Sequence, residues 1–193
     1  MIKKHFVFSY TNILIRELEK KNYLSFLRRI FGLIYKLIIN IYKRATNKII
    51  NLDNKKDNLK FFNLQLSELF KYFNSDKGSI LKIDHQEKTL KTHNYSVFYE
   101  KYLKYLKHKN IKILEIGSHE GRALASLYYY FPNSKLYGAN INPFQMRFNS
   151  ERINEIYIDV SSKKILGNFS KYFGKEFDVI IDDASHNLKD ILQ

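Results

Sequence analysis

The chain has 193 residues, of which 45% are hydrophobic and 27% are charged, and its formal net charge is +14. This length and composition fit one folded domain with an extension, and they exclude both two full-sized domains and global disorder. The chain contains no cysteine, which excludes disulfides and thiolate catalysis and fits a cytoplasmic protein.

The positive charge is concentrated near the N-terminus. Residues 1–50 contain 11 Lys and Arg against 2 Glu, and the remaining residues contain 22 basic against 17 acidic residues. The net charge is therefore +9 for the first segment and +5 for the rest, a distribution that disfavours nucleic acid as a partner. An AT-rich coding sequence would also enrich Lys, Asn, Ile, Tyr and Phe, so a functional and a purely compositional origin of the basicity both stay open.

Residues 24–44 are predicted to form a basic amphipathic helix. Apolar residues recur at helical spacing from Leu27 to Ile41, with most basic residues between them. Lys36 and Asn40 interrupt the most apolar part, which is shorter than the roughly 20 residues that cross a bilayer. Two uses stay open: docking on a neighbouring domain or on a second subunit of a homo-oligomer, and peripheral contact with an anionic membrane, such as the inner membrane surface.

The polar segment 51–58 (NLDNKKDN) resembles a linker, so we expect three parts. These are a basic amphipathic helical extension over 1–50, a helical lead-in segment over 51–110 and a sheet domain over 111–193. Within the lead-in segment, the spacing of leucines and phenylalanines predicts a helix over 64–73, followed by a turn over 74–79 and a helix over 96–107.

The remainder of the chain predicts an α/β fold. Apolar runs and helical patterns alternate regularly, which indicates a parallel sheet with crossover helices. The predicted strands are 111–116, 135–139, 154–158 and 177–182, and the predicted helices are 120–130, 143–150 and 162–173. Ligands bind such sheets beyond the carboxyl ends of the strands, where four predicted site residues fall: Gly117, Asn140, Asp159 and Asp182.

The first of these strands runs into a glycine-bearing turn, with the sequence ILEIGSHEG from Ile113 to Gly121. Gly117 and Gly121 would let a ligand approach the backbone while the next helix presents its N-terminus. Tight strand-to-helix turns also need glycine for conformational reasons alone. A second chemistry-bearing segment, FDVIIDDASH, ends with Asp182, Asp183 and His186; helix-capping aspartates beside a surface histidine are the alternative interpretation.

These two motifs together resemble class I S-adenosylmethionine-dependent methyltransferases. ILEIGSHEG is similar to the first motif of that class, with His119 in place of its middle glycine, and FDVIIDDASH is similar to the FDxIIDDGSH segment of sugar O-methyltransferases of the mycinamicin and macrocin type. NSDKGS at 74–79 and HNYSVFYEKYL at 93–103 resemble elements that precede the first strand in those enzymes. The resemblance covers roughly 74–193.

The resemblance implies S-adenosylmethionine as cofactor, possible use of Mg²⁺, and a sugar hydroxyl of a small molecule or glycoconjugate as acceptor. It makes Asp183 a magnesium ligand and His186 the general base. It also implies a set of cofactor-binding residues: Glu115, Gly117, Ser118, Gly121, Asn140, Asp159 and Asp182. For Asp159, capping of the following helix is an equally favoured role. Five further residues become candidates to line the cofactor pocket: Asp76, Lys77, His93, Tyr95 and Tyr99.

The expected fold is therefore a Rossmann-like class I methyltransferase fold that is incomplete, with about four of seven strands, behind a helical N-terminal extension. The family's other metal-binding carboxylates follow the fifth strand, so Asp183 is expected to have no carboxylate partners in this chain. Two alternatives to an active enzyme stay open. One is a catalytically inactive fragment or partner-binding module, and the other is a basic protein that attaches to a membrane surface.

Overall fold

A computed structural model describes residues 11–16, 18, 23–46, 49–54, 58–82, 89–141, 145–173, 176–185 and 187–188. Residues 11–16 are helical. The helices that follow are α1 (Tyr23–Ala45), α2 (Asn58–Phe62), α3 (Leu66–Tyr72), α4 (Tyr95–Leu103), α5 (Arg122–Tyr130) and α6 (Lys163–Phe173). The strands are β1 (Ile50–Asn51), β2 (Ile80–Lys82), β3 (Thr89–Lys91), β4 (Lys112–Ile116), β5 (Lys135–Asn140), β6 (Phe148–Asn149), β7 (Ile153–Tyr157) and β8 (Val179–Asp182).

The main sheet of the described residues is parallel, with the strand order β7-β5-β4-β8. The chain moves outward from β4 through β5 to β7 and then returns to the other side of β4 as β8. This order is that of a Rossmann-like fold, and it confirms the predicted α/β class. The reversal of direction lies between β4 and β8, and ligands of such folds bind beyond the carboxyl ends of the strands at that point.

Both faces of the sheet are covered. Ile113 of β4 belongs to a buried cluster with α3 and α5, whereas its neighbour Leu114 belongs to a second cluster with α6 and Ile13. Successive side chains of a strand point to opposite faces, so one strand contributes to two cores. The first cluster extends from Leu52 to Ile181 and thus joins the lead-in segment to the sheet.

The predicted helix over 143–150 is wrong in its described part. Phe148 and Asn149 form the short strand β6, which pairs in parallel with β1. The physical reason is packing: Phe148 is buried, and its ring meets that of Phe73 edge-on with the centroids 5.4 Å apart. The other sheet pairing that the sequence did not predict is the antiparallel hairpin of β2 and β3.

Asp53 fastens the segment after β1 to the domain. Its carboxylate accepts hydrogen bonds from the Tyr128 and Ser150 hydroxyls and from the Glu151 amide, each at 2.8 Å. Arg152 stacks over the Tyr128 ring at 3.8 Å from its centroid. The polar network therefore joins β1, α5 and the start of β7.

We expect Asp53→Asn to lower the free energy of unfolding near neutral pH. Burial raises the pKa of Asp53, but the Glu151 amide, the Ser150 and Tyr128 hydroxyls and the charge of Arg152 hold this pKa below its ordinary value of 3.8. A carboxylate with a lowered native pKa stabilises the fold above the unfolded-state pKa, and this contribution is lost as the pH falls through the native value. Urea titrations should show the difference from wild type shrinking in acid, and a difference independent of pH would contradict the network.

Candidate functional site

A cleft of about 830 Å³ opens at the carboxyl ends of β4, β5 and β8. Its walls come from the loop after α3, the turn after β4, the segments after β5 and β7, and the segment after β8. Of the residues predicted to bind a cofactor or metal, five line the cleft: Glu115, Gly117, Ser118, Asn140 and Asp183. The cleft therefore occupies the edge of the sheet that the sequence pattern indicates.

The turn after β4 requires glycine at Gly117. This residue has a φ of +85°, and a Cβ placed on it would lie 2.2 Å from the backbone oxygen of Asp183. The backbone amides of Gly117 and Ser118 both donate to the carbonyl of Ala139, at 2.8 and 3.2 Å. The turn after β4 is thus packed tightly against β8 and bonded to β5.

The same turn contains two more residues in the left-handed region. Gly121 has a φ of +76° and immediately precedes α5, and His119 has a φ of +44°. The left-handed conformation costs a residue with a side chain about 1–2 kcal/mol. His119 replaces the middle glycine of the resembled motif, yet its backbone keeps the left-handed conformation that glycine favours.

Lys77 is the electrostatic centre of the cleft. Only 4% of this residue is exposed, and its Nζ lies 3.2 Å from Glu115 Oε1, 2.5 Å from Asp183 Oδ2 and 3.9 Å from Asp76 Oδ1. Burial lowers the pKa of Lys77, but the three carboxylates outweigh this effect and raise the pKa above its ordinary value. The ammonium is therefore held in its charged form between the ends of β4 and β8.

Glu115 keeps one oxygen without a hydrogen-bond partner. The residue is 1% exposed, and within the described part of the chain Oε2 has no donor, although Oε1 is paired with Lys77. Burial raises the pKa of Glu115 and the attraction of Lys77 only partly offsets this. The Ser118 hydroxyl is likewise buried and lacks a partner among the described residues. Unsatisfied buried groups of this kind cost about 1–3 kcal/mol each, and both residues line the cleft.

Asn140 lines the cleft at the end of β5. Its side-chain nitrogen donates to Gln145 Oε1 at 3.1 Å and to the carbonyl of His119 at 3.5 Å. The amide thus bridges the turn after β4 and the segment after β5. Next to it, Ile141 is 59% exposed, and it lies on the same cleft as Ile158 and Val160. These three side chains form an apolar wall, which the sequence analysis did not single out.

Three of the predicted cofactor-binding residues lie outside the lining of the cleft. Gly121 donates its amide to the carbonyl of Ser118 at 2.7 Å, and the exposed Asp182 accepts the amide of Ala184 at 3.2 Å. Asp159 is 1% exposed, accepts the amide and hydroxyl of Ser161 at 3.0 and 2.6 Å, and forms an ion pair with Arg16. For Asp159, the geometry is that of the turn that leads into α6.

The upstream candidates divide in the same way. Asp76 and Lys77 line the cleft, whereas His93, Tyr95 and Tyr99 do not. The rings of His93 and Tyr95 stack on each other with the centroids 5.1 Å apart. Burial raises the pKa of Tyr99 to about 12, so its phenol stays neutral. His186, the predicted general base, lies outside the described residues.

A cluster of charges at the mouth of the cleft was not predicted. Glu120 accepts from Arg122 Nε at 2.9 Å and from Arg147 at 3.3 Å. Burial raises the pKa of Glu120, but the hydrogen bonds and charges of the two arginines hold this pKa below its ordinary value. Glu120 and Arg147 are 27 residues apart in the sequence, and no sequence pattern indicates that they form an ion pair.

The described part of the site does not fit a magnesium ion. Asp183 Oδ2 is paired with the Lys77 ammonium, and no group of three or more His, Cys, Asp or Glu side chains that could hold a metal occurs among the described residues. A buried ammonium beside Asp183 would repel a divalent cation.

Comparisons with known proteins give structural neighbours only. No protein-family model matches the sequence, and no curated protein matches it. Among solved structures, the chain is similar to the MycE methyltransferase from the mycinamycin biosynthetic pathway in complex with Mg and SAH, at 23% identity and a TM-score of 0.49. A second structure of that protein, with Mg, SAH and mycinamycin VI, matches at 22% identity and a TM-score of 0.46.

These matches cover 66% and 62% of the chain but only 29% and 27% of the matched proteins. The chain thus spans less than a third of their length. Likeness at this level carries over neither a ligand nor a reaction.

We expect Lys77→Met to lower the free energy of unfolding by about 3–5 kcal/mol, because removing one partner leaves the buried charge of Glu115 uncompensated. The double variant Lys77→Met with Glu115→Gln should recover more than half of this loss, since it removes that charge as well. Urea unfolding of the wild type, both single variants and the double variant measures the coupling. Additive losses in the double variant would contradict a direct interaction between the two side chains.

Proposed function

We propose that the cleft binds S-adenosylmethionine and that the chain contributes to a methyltransferase that acts on a hydroxyl group. The observation that carries this proposal is the buried, unpartnered oxygen of Glu115 beside a glycine turn at the N-terminus of α5. The resemblance of ILEIGSHEG and FDVIIDDASH to methyltransferase motifs supports the same ligand. A cleft of about 830 Å³ is within the size range of small-molecule and cofactor sites.

The polar end of the cleft suits the amino-acid part of this cofactor. Its ammonium group would satisfy Glu115 Oε2, an oxygen that the Lys77 ammonium does not reach. Its carboxylate would be favoured near the N-terminus of α5, where backbone amides and the helix dipole attract an anion.

The apolar end of the cleft suits an adenine ring. Ile141, Ile158 and Val160 supply a wall without charged groups, and Asn140 at its edge offers an amide that could bond a ribose hydroxyl. An acidic residue is usual at that position of the resembled family, and an amide bonds the hydroxyl less strongly. We therefore expect cofactor binding of moderate affinity.

When bound, S-adenosylmethionine supplies a methyl group activated by a sulfonium, which an oxygen nucleophile takes by in-line displacement. For this chain we propose His186 as the group that accepts the hydroxyl proton, on the resemblance of FDVIIDDASH alone, because an imidazole accepts a proton near neutral pH. Lys77 would fix Asp183 three residues before His186 and so help to orient the acceptor side of the cleft. A sugar hydroxyl of a small molecule or glycoconjugate is the proposed acceptor.

Isothermal titration calorimetry tests the cofactor. We expect wild-type protein to bind S-adenosylmethionine and S-adenosylhomocysteine, and Gly117→Ala to weaken both by more than tenfold, because a Cβ would force the turn away from Asp183. Gly167→Ala is the matched control, since nothing lies within 4 Å of a Cβ at that helical position. An absence of heat from the wild type at millimolar cofactor would contradict the proposal and leave a non-catalytic module as the interpretation.

A surface variant separates ligand binding from folding in that experiment. Ile141→Asp changes an exposed side chain of the apolar wall, so the fold should persist while cofactor affinity falls. Leu59→Asp, at an 84% exposed position outside the cleft, serves as its control. Equal affinities of the two aspartate variants would show that the apolar wall is not used by the ligand.

The acceptor is tested by transfer of a radiolabelled methyl group to a panel of nucleotide sugars and glycosides. We expect His186→Ala to lose about 10²–10⁴ in rate, the usual contribution of a general base, while cofactor affinity measured by calorimetry stays within twofold of wild type. Parallel losses of rate and cofactor affinity would assign His186 to binding instead. Methylation of amines but not of hydroxyls would contradict the proposed acceptor class.

A further inference from the structure

Helix α1 presents an apolar stripe that the described part of the chain leaves uncovered. The residues of the stripe are spaced three or four apart, and each is at least 52% exposed: Leu24, Leu27, Phe31, Ile34, Ile38 and Tyr42. At 100° per residue they fall within an arc of about 80°. Large apolar side chains exposed in a continuous row mark an interaction surface.

The charge of α1 limits what this surface can bind. The helix contains five basic residues and no acidic residue. Arg28 is exposed and borders the stripe, and positions 29, 36, 43 and 44 of the sequence carry the other four basic residues. The helix is therefore strongly cationic around an apolar face, and its natural complement is a surface that is both anionic and able to receive apolar side chains.

We propose that α1 binds the surface of an anionic lipid bilayer, with the apolar stripe turned into the headgroup region. Apolar and basic faces of this kind are those of helices that lie in a membrane interface, and tyrosines such as Tyr35 and Tyr42 favour that depth. Within the described residues, no helix is long and apolar enough to cross a membrane. The helix, about 34 Å long at 1.5 Å per residue, would lie along the surface.

Two other occupants fit less well. A second copy of the chain would bring two helices of like charge together, and the chain as a whole carries +14. Nucleic acid would match the charge but would leave the apolar stripe in water. The proposal concerns α1 alone and does not depend on what the cleft binds.

Vesicle sedimentation with the full chain tests the proposal. We expect the protein to pellet with vesicles of equal parts phosphatidylglycerol and phosphatidylcholine, and to remain in solution with pure phosphatidylcholine. Raising the salt concentration should weaken the binding, since charge attraction to an anionic surface is screened. Equal binding to both vesicle types, or binding indifferent to salt, would overturn the proposal.

Paired substitutions locate the surface. Phe31→Ser with Ile34→Ser should abolish pelleting, and Arg29→Gln with Lys36→Gln should weaken it by about tenfold or more. The controls change exposed residues of the same kinds outside α1: Leu59→Ser with Tyr105→Ser, and Lys60→Gln with Lys71→Gln. Controls that lose binding as strongly as the α1 variants would overturn the assignment.

Sedimentation velocity tests whether the chain associates with itself through α1. Circular dichroism establishes that each variant is folded, and the wild type is expected to be free of α1-dependent association in solution. The proposal would be overturned if the wild type did not bind vesicles but did associate with itself, and if Phe31→Ser with Ile34→Ser removed that association. The stripe would then be assigned to contact with a second copy of the chain. A wild type that binds neither vesicles nor itself would overturn the proposal as well.

Discussion

The site is organised around two ion pairs of one buried lysine. The Lys77 ammonium lies between the carboxylates of Glu115 and Asp183, which stand at the ends of neighbouring strands. It neutralises Glu115, a carboxylate with 1% exposure, and it draws Asp183 to the same point. Removing such a charge from water is costly unless a partner is present, so β4 can carry the buried Glu115 because a lysine from the loop after α3 reaches between it and Asp183. The same arrangement leaves the second oxygen of Glu115 buried and without a hydrogen-bond partner among the described residues.

The position of this cluster follows from the topology of the sheet. The chain builds β4, β5 and β7 in one direction and returns to the other side of β4 with β8, so the turns after β4 and β8 diverge and leave a cleft between them. Close packing at Gly117 against the backbone of Asp183 then fixes how near the two turns lie. The motifs ILEIGSHEG and FDVIIDDASH are far apart in the sequence, but the alternation of strands and helices places β4 and β8 side by side and so brings the two motifs together.

The sequence predicts the features that depend on local periodicity. It does not predict those that depend on contacts between residues far apart in the sequence. The strands of the main sheet have four to six residues each, mostly apolar and bounded by turns, and this pattern is recognisable in the sequence. Each of the strands β1, β2, β3 and β6 has only two or three residues, too few to show a periodic pattern. The sequence pattern predicts a helix at Phe148, but its burial against Phe73 decides its conformation. Lys77 and Asp183 are 106 residues apart, so their pairing had no local signal.

Asp159 shows how one buried ion pair shapes the apolar end of the cleft. Its carboxylate accepts hydrogen bonds from Ser161 and forms an ion pair with Arg16 of the N-terminal helical segment. The residues on either side of it, Ile158 and Val160, line the cleft, whereas Asp159 does not. A ligand that needed the Asp159 carboxylate would have to compete with Arg16, whose side chain is 25% exposed. The apolar end of the cleft is therefore lined by Ile158 and Val160 without the Asp159 carboxylate, and Asn140 supplies a polar side chain beside them.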